Sequence, residues 1–421
     1  MNHRPAWLLA LVLLAACDEA ASPLVADATV RADAAGGDID RGAEDMALDA
    51  IAPPRDMASV DMAPADMAAP ADLAPPEDMA RAEDMAPPED MASPEDMAPA
   101  PDMAAEHDAG PLTAAACFDG LFSGELTAGP DYDQFGPIIG SHCMGTDHQR
   151  IERVERVVFV GDSVTVGTPP HDPAVYYRNV LAARLAARFG LTAPDFLWQQ
   201  VNLIDGVGLV QESGDFAHCA KYGARTDDLL RDRTLLSDCV PEDKRHLRTL
   251  FVMTIGGNDV ASITQDGLEP DADPAELWAE TEEFVGLLRD AMRWIRAPGR
   301  FPNGAWVVYA NMFEFTDGTG DITACPAAGL AGFGAEWDDP TLLADMVVWA
   351  NEQFLAIALE YGVDMVFMLE HFCGHGFNYD DPMSPCYRGP GTELWFDLTC
   401  IHPNAAGHRA IADLFEAVVA E

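Results

Sequence analysis

The C-terminal part of this 421-residue chain predicts an α/β fold: one doubly wound domain whose mostly parallel sheet lies between two helical layers (α/β/α). Three observations predict it. Apolar runs of strand length recur at 156–160, 196–204, 250–255, 305–310 and 363–368. The runs are continuous rather than alternating, as in strands covered on both faces. Helix-period segments separate them, and this alternation over about 300 residues favours successive crossovers within one sheet.

Taken in order, the first run, 156–160, leads into Gly161-Asp162-Ser163, so a buried strand ends on a serine. Asp172-Pro173 supplies an N-cap and first turn for a helix. Tyr177, Leu181, Leu185 and Phe189 then recur every four residues, and Gly190 provides the stop. The run at 250–255 ends in Gly256-Gly257-Asn258-Asp259, and Asp273-Pro274 opens a second helix with Leu277, Phe284, Leu288, Met292 and Ile295 on one stripe. Two more helices are expected at 341–361 and 405–421, the last preceded by "DLTCIHPN" with His402 in the loop. Ligands of doubly wound folds, including the flavodoxin-like ones, bind outside the carboxyl ends of the strands. Ser163, Asn258 and His402 are therefore expected at one sheet edge.

The first quarter of the chain is different. Residues 1–16 combine a short basic start with the apolar run Ala6 to Ala15, too short for a membrane span, and read as a secretory signal. The run closes on Leu14-Ala15-Ala16-Cys17, which resembles the lipobox of bacterial lipoproteins. That resemblance implies cleavage before Cys17, its lipidation, and residence in the cell envelope on the periplasmic or outer-surface side. From 17 to 111 the chain is mostly Ala, Pro, Asp, Glu and Met, with "DMA" recurring every five or six residues and no aromatic residue. Nothing in such a segment offsets the entropy of ordering it, so it is expected to be a disordered, acidic tether. The folded part is then expected to be one domain, 112–421.

Charge narrows the partners. The formal net charge is -47. Residues 18–111 hold 24 acidic and 4 basic side chains, and 112–421 hold 47 and 19. Surfaces this acidic disfavour DNA, RNA and anionic lipid. Beyond Cys17 there are eight cysteines, Cys117, Cys143, Cys219, Cys239, Cys325, Cys373, Cys386 and Cys400, an even number in an exported chain. Up to four disulfides are expected, with 105 possible pairings. His371, Cys373 and His375 in "HFCGH" have donor chemistry for a metal, but half of a disulfide is the favoured reading of Cys373.

The blocks "GDSVTVG", "CAKYGARTDDLL", "GGND" and "IHPNAAGH" occur in that order, and together they resemble the SGNH (GDSL) hydrolases over about residues 150–421. The resemblance implies a serine esterase acting on carboxylic esters through an acyl-enzyme. It implies Ser163 as nucleophile, His402 as base, and an oxyanion hole from the Ser163 amide, the Gly223 amide and the Asn258 side chain. A hydroxyl needs a base within hydrogen-bond reach, and the tetrahedral oxyanion needs fixed donors. No metal or organic cofactor is implied. One element departs from the family pattern: the aspartate expected three residues before the histidine is replaced by Thr399, and the nearest acid is Asp397. Three readings stay open for orienting His402: Asp397 through a longer loop, a backbone carbonyl, or an acid from another loop.

The expected substrate is a small, soluble or polysaccharide-linked acyl ester, with specificity assigned to the long loop after Leu369. The rival reading is a surface binding module for glycan or protein on a degenerate version of the same fold. Nucleotide or flavin binding is disfavoured, since no glycine-rich phosphate loop follows the first strand. Asp162 reads as a turn cap, Asp317 and Asp321 as turn residues rather than calcium ligands, Trp395 and Phe396 as packing, and His408 and Arg409 as helix surface.

Overall fold

The computed structural model describes residues 112–122, 129–231, 234–337 except 331, and 339–421. The signal at 1–16, the lipidation site Cys17 and the tether at 17–111 lie outside the described residues.

Eight strands are present among the described residues: β1 (Arg156–Gly161), β2 (Val201–Asn202), β3 (Val207–Gly208), β4 (Glu212–Ser213), β5 (Phe216–Ala220), β6 (Thr249–Thr254), β7 (Ala305–Ala310) and β8 (Asp364–Val366). The main sheet has the order β4-β5-β1-β6-β7-β8. All its pairings are parallel except the edge hairpin β4–β5. Counting only parallel strands, the order is 2-1-3-4-5, the doubly wound, flavodoxin-like arrangement. Its switch point lies between β1 and β6. That is where the serine and asparagine blocks leave the sheet.

Among the described residues ten α-helices flank or cap the sheet: α1 (Ala114–Phe118), α2 (Ser163–Val166), α3 (Tyr177–Phe189), α4 (Phe196–Gln199), α5 (Leu235–Cys239), α6 (Gly257–Asp266), α7 (Pro274–Ile295), α8 (Pro340–Tyr361), α9 (Met368–Phe372) and α10 (Ala405–Ala420). α3 packs against α10, and α7 against α8. Residues 157–160 of β1 are fully buried. At about 1.5–3 kcal/mol for each buried aliphatic or aromatic side chain, they contribute on the order of 10 kcal/mol, comparable to the net stability of a whole domain. The strand end that carries Ser163 is therefore fixed by packing.

Four of the five expected strands and all four expected helices are present. The run at 196–204 adds no strand to the main sheet: only Val201–Asn202 is extended, as β2 in a separate hairpin with β3. Asp195 accepts from the Trp198 amide at 3.0 Å and starts the short helix α4 instead. Only Trp198 of Phe196-Leu197-Trp198 is buried, while Ile204 is 95% exposed. The strand that pairs with β1 on the side away from β6 is β5, whose short apolar run is interrupted by His218. The last expected strand is shorter than its apolar run, because α9 begins at Met368. All eight cysteines pair, as Cys117–Cys143, Cys219–Cys239, Cys325–Cys400 and Cys373–Cys386.

Candidate active site

Ser163 opens α2 directly after β1. The preceding Asp162 Oδ1 accepts from the Val164 amide at 2.9 Å, which turns the chain from strand to helix in one residue. Burial pushes the Asp162 carboxyl up to about 7. A Cβ at Gly161 would lie 2.2 Å from the Thr254 carbonyl oxygen, so only glycine lets β1 run this close to β6 here.

His402 comes from the loop between 397 and α10, and its Nε2 lies 2.7 Å from Ser163 Oγ. Both residues are buried. Asn404 closes the loop by capping α10, its Oδ1 accepting from the Ala406 and Gly407 amides. Burial holds the His402 ring below the ordinary imidazole range; Asp397 opposes that shift and His171 adds to it. At neutral pH the ring is therefore uncharged, with Nε2 free to take the serine proton when Nδ1 carries the hydrogen.

Nδ1 does not reach Asp397. It lies 2.7 Å from Thr399 Oγ1, and the Thr399 hydroxyl is hydrogen-bonded in turn to Asp397 Oδ1. With the ring hydrogen on Nδ1, Thr399 accepts from the histidine and donates to the carboxylate, using one donor and two acceptor sites. The second acceptor site takes the His402 amide at 3.3 Å. Asp397 Oδ1 also accepts from the Thr399 amide at 2.8 Å, and the Asp397 amide donates to the His402 carbonyl at 2.9 Å. The loop closes on itself. Cys400, in the left-handed region with φ of 71°, is bonded to Cys325 and anchors the loop to the body of the domain. Asp397 Oδ2 faces His171 Nε2 at 3.6 Å.

The remaining two expected site residues belong to neighbouring strand ends. Gly223 follows β5 with φ of 71°, a conformation that favours glycine. Asn258 sits in the first turn of α6 and donates from Nδ2 to the Ala224 carbonyl at 2.9 Å. Asp259 accepts from both the amide and the hydroxyl of Thr226. These bonds stitch the Gly223 turn to the start of α6. One amide hydrogen of Asn258 is thereby fixed and the other is left to point elsewhere.

A family model described as GDSL-like lipase/acylhydrolase matches residues 159–410, more than half of the chain. The chain belongs to this family. It is an SGNH-type ester hydrolase. No curated protein matches it. Among solved structures it is similar to phospholipase A1 from Streptomyces albidoflavus NA297 (20% identity, 63% of this chain and 99% of that one, TM-score 0.39). Another is an extracellular lipase from Streptomyces rimosus (18% identity, 63% and 100%, TM-score 0.38). A third is the acetyl xylan esterase AlAXEase (15% identity, 63% and 99%, TM-score 0.37).

In this GDSL-type hydrolase Ser163, Asn258 and His402 all line one cavity of about 490 Å³. The rest of its wall is mainly apolar, with Val260, Met312, Phe313 and Val347 among the side chains. Thr399 is the site residue that sequence reasoning missed as a participant. Its signal was its position, three residues before His402, where the family has the orienting acid. Other readings resolve plainly. Cys373 is bonded to Cys386, and the Asp317 carboxylate accepts from the amides of Gly374, Gly376 and Asn378, serving as a loop staple. His408, expected on the surface, is fully buried, and its Nδ1 accepts from the Tyr177 amide at 3.3 Å. The correction follows from α10 packing on α3, which turns position 408 inward while Arg409 stays exposed.

Proposed function

We propose that this hydrolase is an exported serine esterase, held at the cell envelope through lipidated Cys17 and the acidic tether, that cleaves carboxylic esters through an acyl-enzyme on Ser163. The observation that carries the mechanism is the 2.7 Å contact between His402 Nε2 and Ser163 Oγ inside a cavity that Asn258 also lines. Ser163 Oγ attacks the ester carbonyl carbon while its proton passes to His402 Nε2. The oxyanion that forms takes hydrogen bonds from the Ser163 and Gly223 amides and the Asn258 side chain. The intermediate collapses, the carbonyl–alkoxide bond breaks, and His402 returns the proton to the departing alcohol. Water then gives a proton to the same nitrogen, attacks the acyl carbon and releases the acid, restoring Ser163.

Thr399 and Asp397 hold the ring in the required tautomer and counter the charge on imidazolium. A degenerate binding module would not need a neutral, buried histidine in contact with a serine hydroxyl. Hydrolysis of p-nitrophenyl esters by the wild-type domain, lost by at least ~10³-fold in Ser163→Ala with folding intact, tests the reading. Equal rates in both proteins would refute it. For the anchor, Cys17→Ser should abolish incorporation of radiolabelled palmitate and move the protein from the membrane to the soluble fraction; unchanged palmitate incorporation would remove Cys17 from the account.

A further inference from the structure

The cavity at Ser163 is not built by the family domain alone. Ala114, Phe118, Phe122 and Tyr132 also line it, and all four precede residue 159, where the family match begins. We infer that this N-terminal arm, residues 114–122 and 129–135, forms a wall of an acyl-binding site, and that the enzyme selects esters whose acyl group is an extended hydrocarbon chain well beyond acetyl. The inference rests on Ser163 and His402 acting as proposed above.

The arm is a fixed part of the site. Thr113 Oγ1 accepts from the Ala116 amide and starts α1. Asp133 draws the two pieces together, its carboxylate oxygens accepting from the Ala114 and Ala115 amides at 2.8 and 2.9 Å. Cys117–Cys143 bonds α1 to the segment that leads into β1. Phe118 packs edge-on against Phe367 at 5.8 Å between ring centroids, and Tyr132 stacks on the same ring at 5.2 Å. The Tyr132 hydroxyl accepts from Asn311 Nδ2 at 2.7 Å.

Size and polarity decide the acyl class. A space of about 490 Å³ lies within the roughly 300–1,000 Å³ of sites for drug-sized ligands, and an acetyl group would leave most of it unfilled. Two buried polar side chains at this wall are paired: Asn311 Nδ2 donates to Glu370 Oε2 at 2.9 Å. Burial pushes the Glu370 carboxyl up, toward the neutral acid. Three carboxylates of the arm, Asp119, Asp131 and Asp133, also line the cavity, Asp133 being engaged by the α1 amides; the hydrocarbon and aromatic part of the wall comes from Ala114, Phe118 and Phe122. The long loop after Leu369, to which sequence reasoning assigned specificity, contributes only Glu370, Cys373 and Cys386 to the lining.

The test is a p-nitrophenyl ester series from acetate to decanoate, with kcat/KM measured for the full-length wild type, Ala114→Trp and Phe118→Ala. Each methylene that enters the cavity should raise kcat/KM about fourfold. The octanoate-to-acetate ratio in the wild type should then be at least ~100. Ala114→Trp, which fills the space, should lower that ratio at least tenfold, and Phe118→Ala, which widens it, should shift the optimum to a longer chain. Labelling of Ser163 by a methyl fluorophosphonate reports that each variant retains an intact site. A wild type that prefers acetate, or ratios unchanged in both labelled variants, would overturn the inference while leaving the esterase reading in place. Absence of hydrolysis along the whole series, with no labelling of the wild type, would instead remove the esterase reading on which the inference stands.

Discussion

Thr399 Oγ1 stands 2.7 Å from His402 Nδ1 and bridges the ring to Asp397. A neutral hydroxyl thus occupies the place where the family has a carboxylate, and the negative charge lies one hydrogen bond further away. The hydroxyl still fixes the tautomer, because it can accept from Nδ1–H only while donating to Asp397. What it cannot supply is the full Coulombic stabilisation of a carboxylate in direct contact with imidazolium.

Thr399→Val removes all three hydrogen bonds of the hydroxyl and leaves the shape. kcat should fall roughly 10- to 1,000-fold, less than the ~10⁴-fold seen when a directly bonded triad acid is neutralised, with little change in KM. Thr399→Ser should restore most of the loss. Steady-state kinetics on one soluble ester distinguishes this from a packing defect, which the serine variant would not rescue.

The pH profile reports the same network. His402 must be neutral to act as base, and burial holds it below the usual imidazole range. kcat/KM should therefore change little between pH 8 and 6.5 and decline only at more acidic pH. His171 adds to the lowering and Asp397 opposes it. His171→Gln should move the acid limb to higher pH, and Asp397→Asn to lower pH. Limbs that shift in the same direction in both variants would contradict the assignment.

The bridge Cys325–Cys400 spans 75 residues and holds the loop that carries His402. The chain-entropy model gives a closure of that length about 4 kcal/mol. Cys325→Ser with Cys400→Ser should lower the urea midpoint and reduce kcat by more than the equivalent pair at Cys219 and Cys239, which is remote from the histidine loop. Denaturation curves and initial rates check both parts.

Stability should also depend on pH through His408. Burial depresses its pKa to about 3, well below the ordinary imidazole range. A group lowered on folding contributes stability that is present above its unfolded value and lost as pH falls toward its folded value. Between pH 7.5 and 5 this one residue should cost about 2 kcal/mol. His408→Gln, which keeps an acceptor for the Tyr177 amide, should flatten the pH dependence of the urea midpoint over that range.

Much of this was legible in the sequence where a local pattern had no rival. The runs that became β1, β6 and β7 are continuous and apolar, and a strand covered on both faces needs nothing else. Gly190 and Pro274 marked helix ends through backbone constraints that act locally. The apolar run at 196–204 misled because hydrophobicity alone does not separate a buried strand from an exposed loop, and the Asp195 cap outweighed it. β5 was hidden by His218, a polar residue inside a five-residue strand. At the candidate site, the convergence of Ser163, Asn258 and His402 on one cavity was readable from their blocks. The bridging role of Thr399 was not, since it depends on how the 397–402 loop folds back on itself. The contribution of Phe118 and Tyr132 was hidden for a different reason: they approach the cavity from outside the family domain.

In the proposed mechanism His402 activates Ser163 as a nucleophile. Intact-protein mass spectrometry of the wild type treated with a fluorophosphonate, followed by peptide mapping, tests it most directly. One stoichiometric adduct is expected, located on Ser163, absent in Ser163→Ala and formed much more slowly in His402→Ala. An adduct elsewhere, or no adduct on the folded wild type, would contradict it.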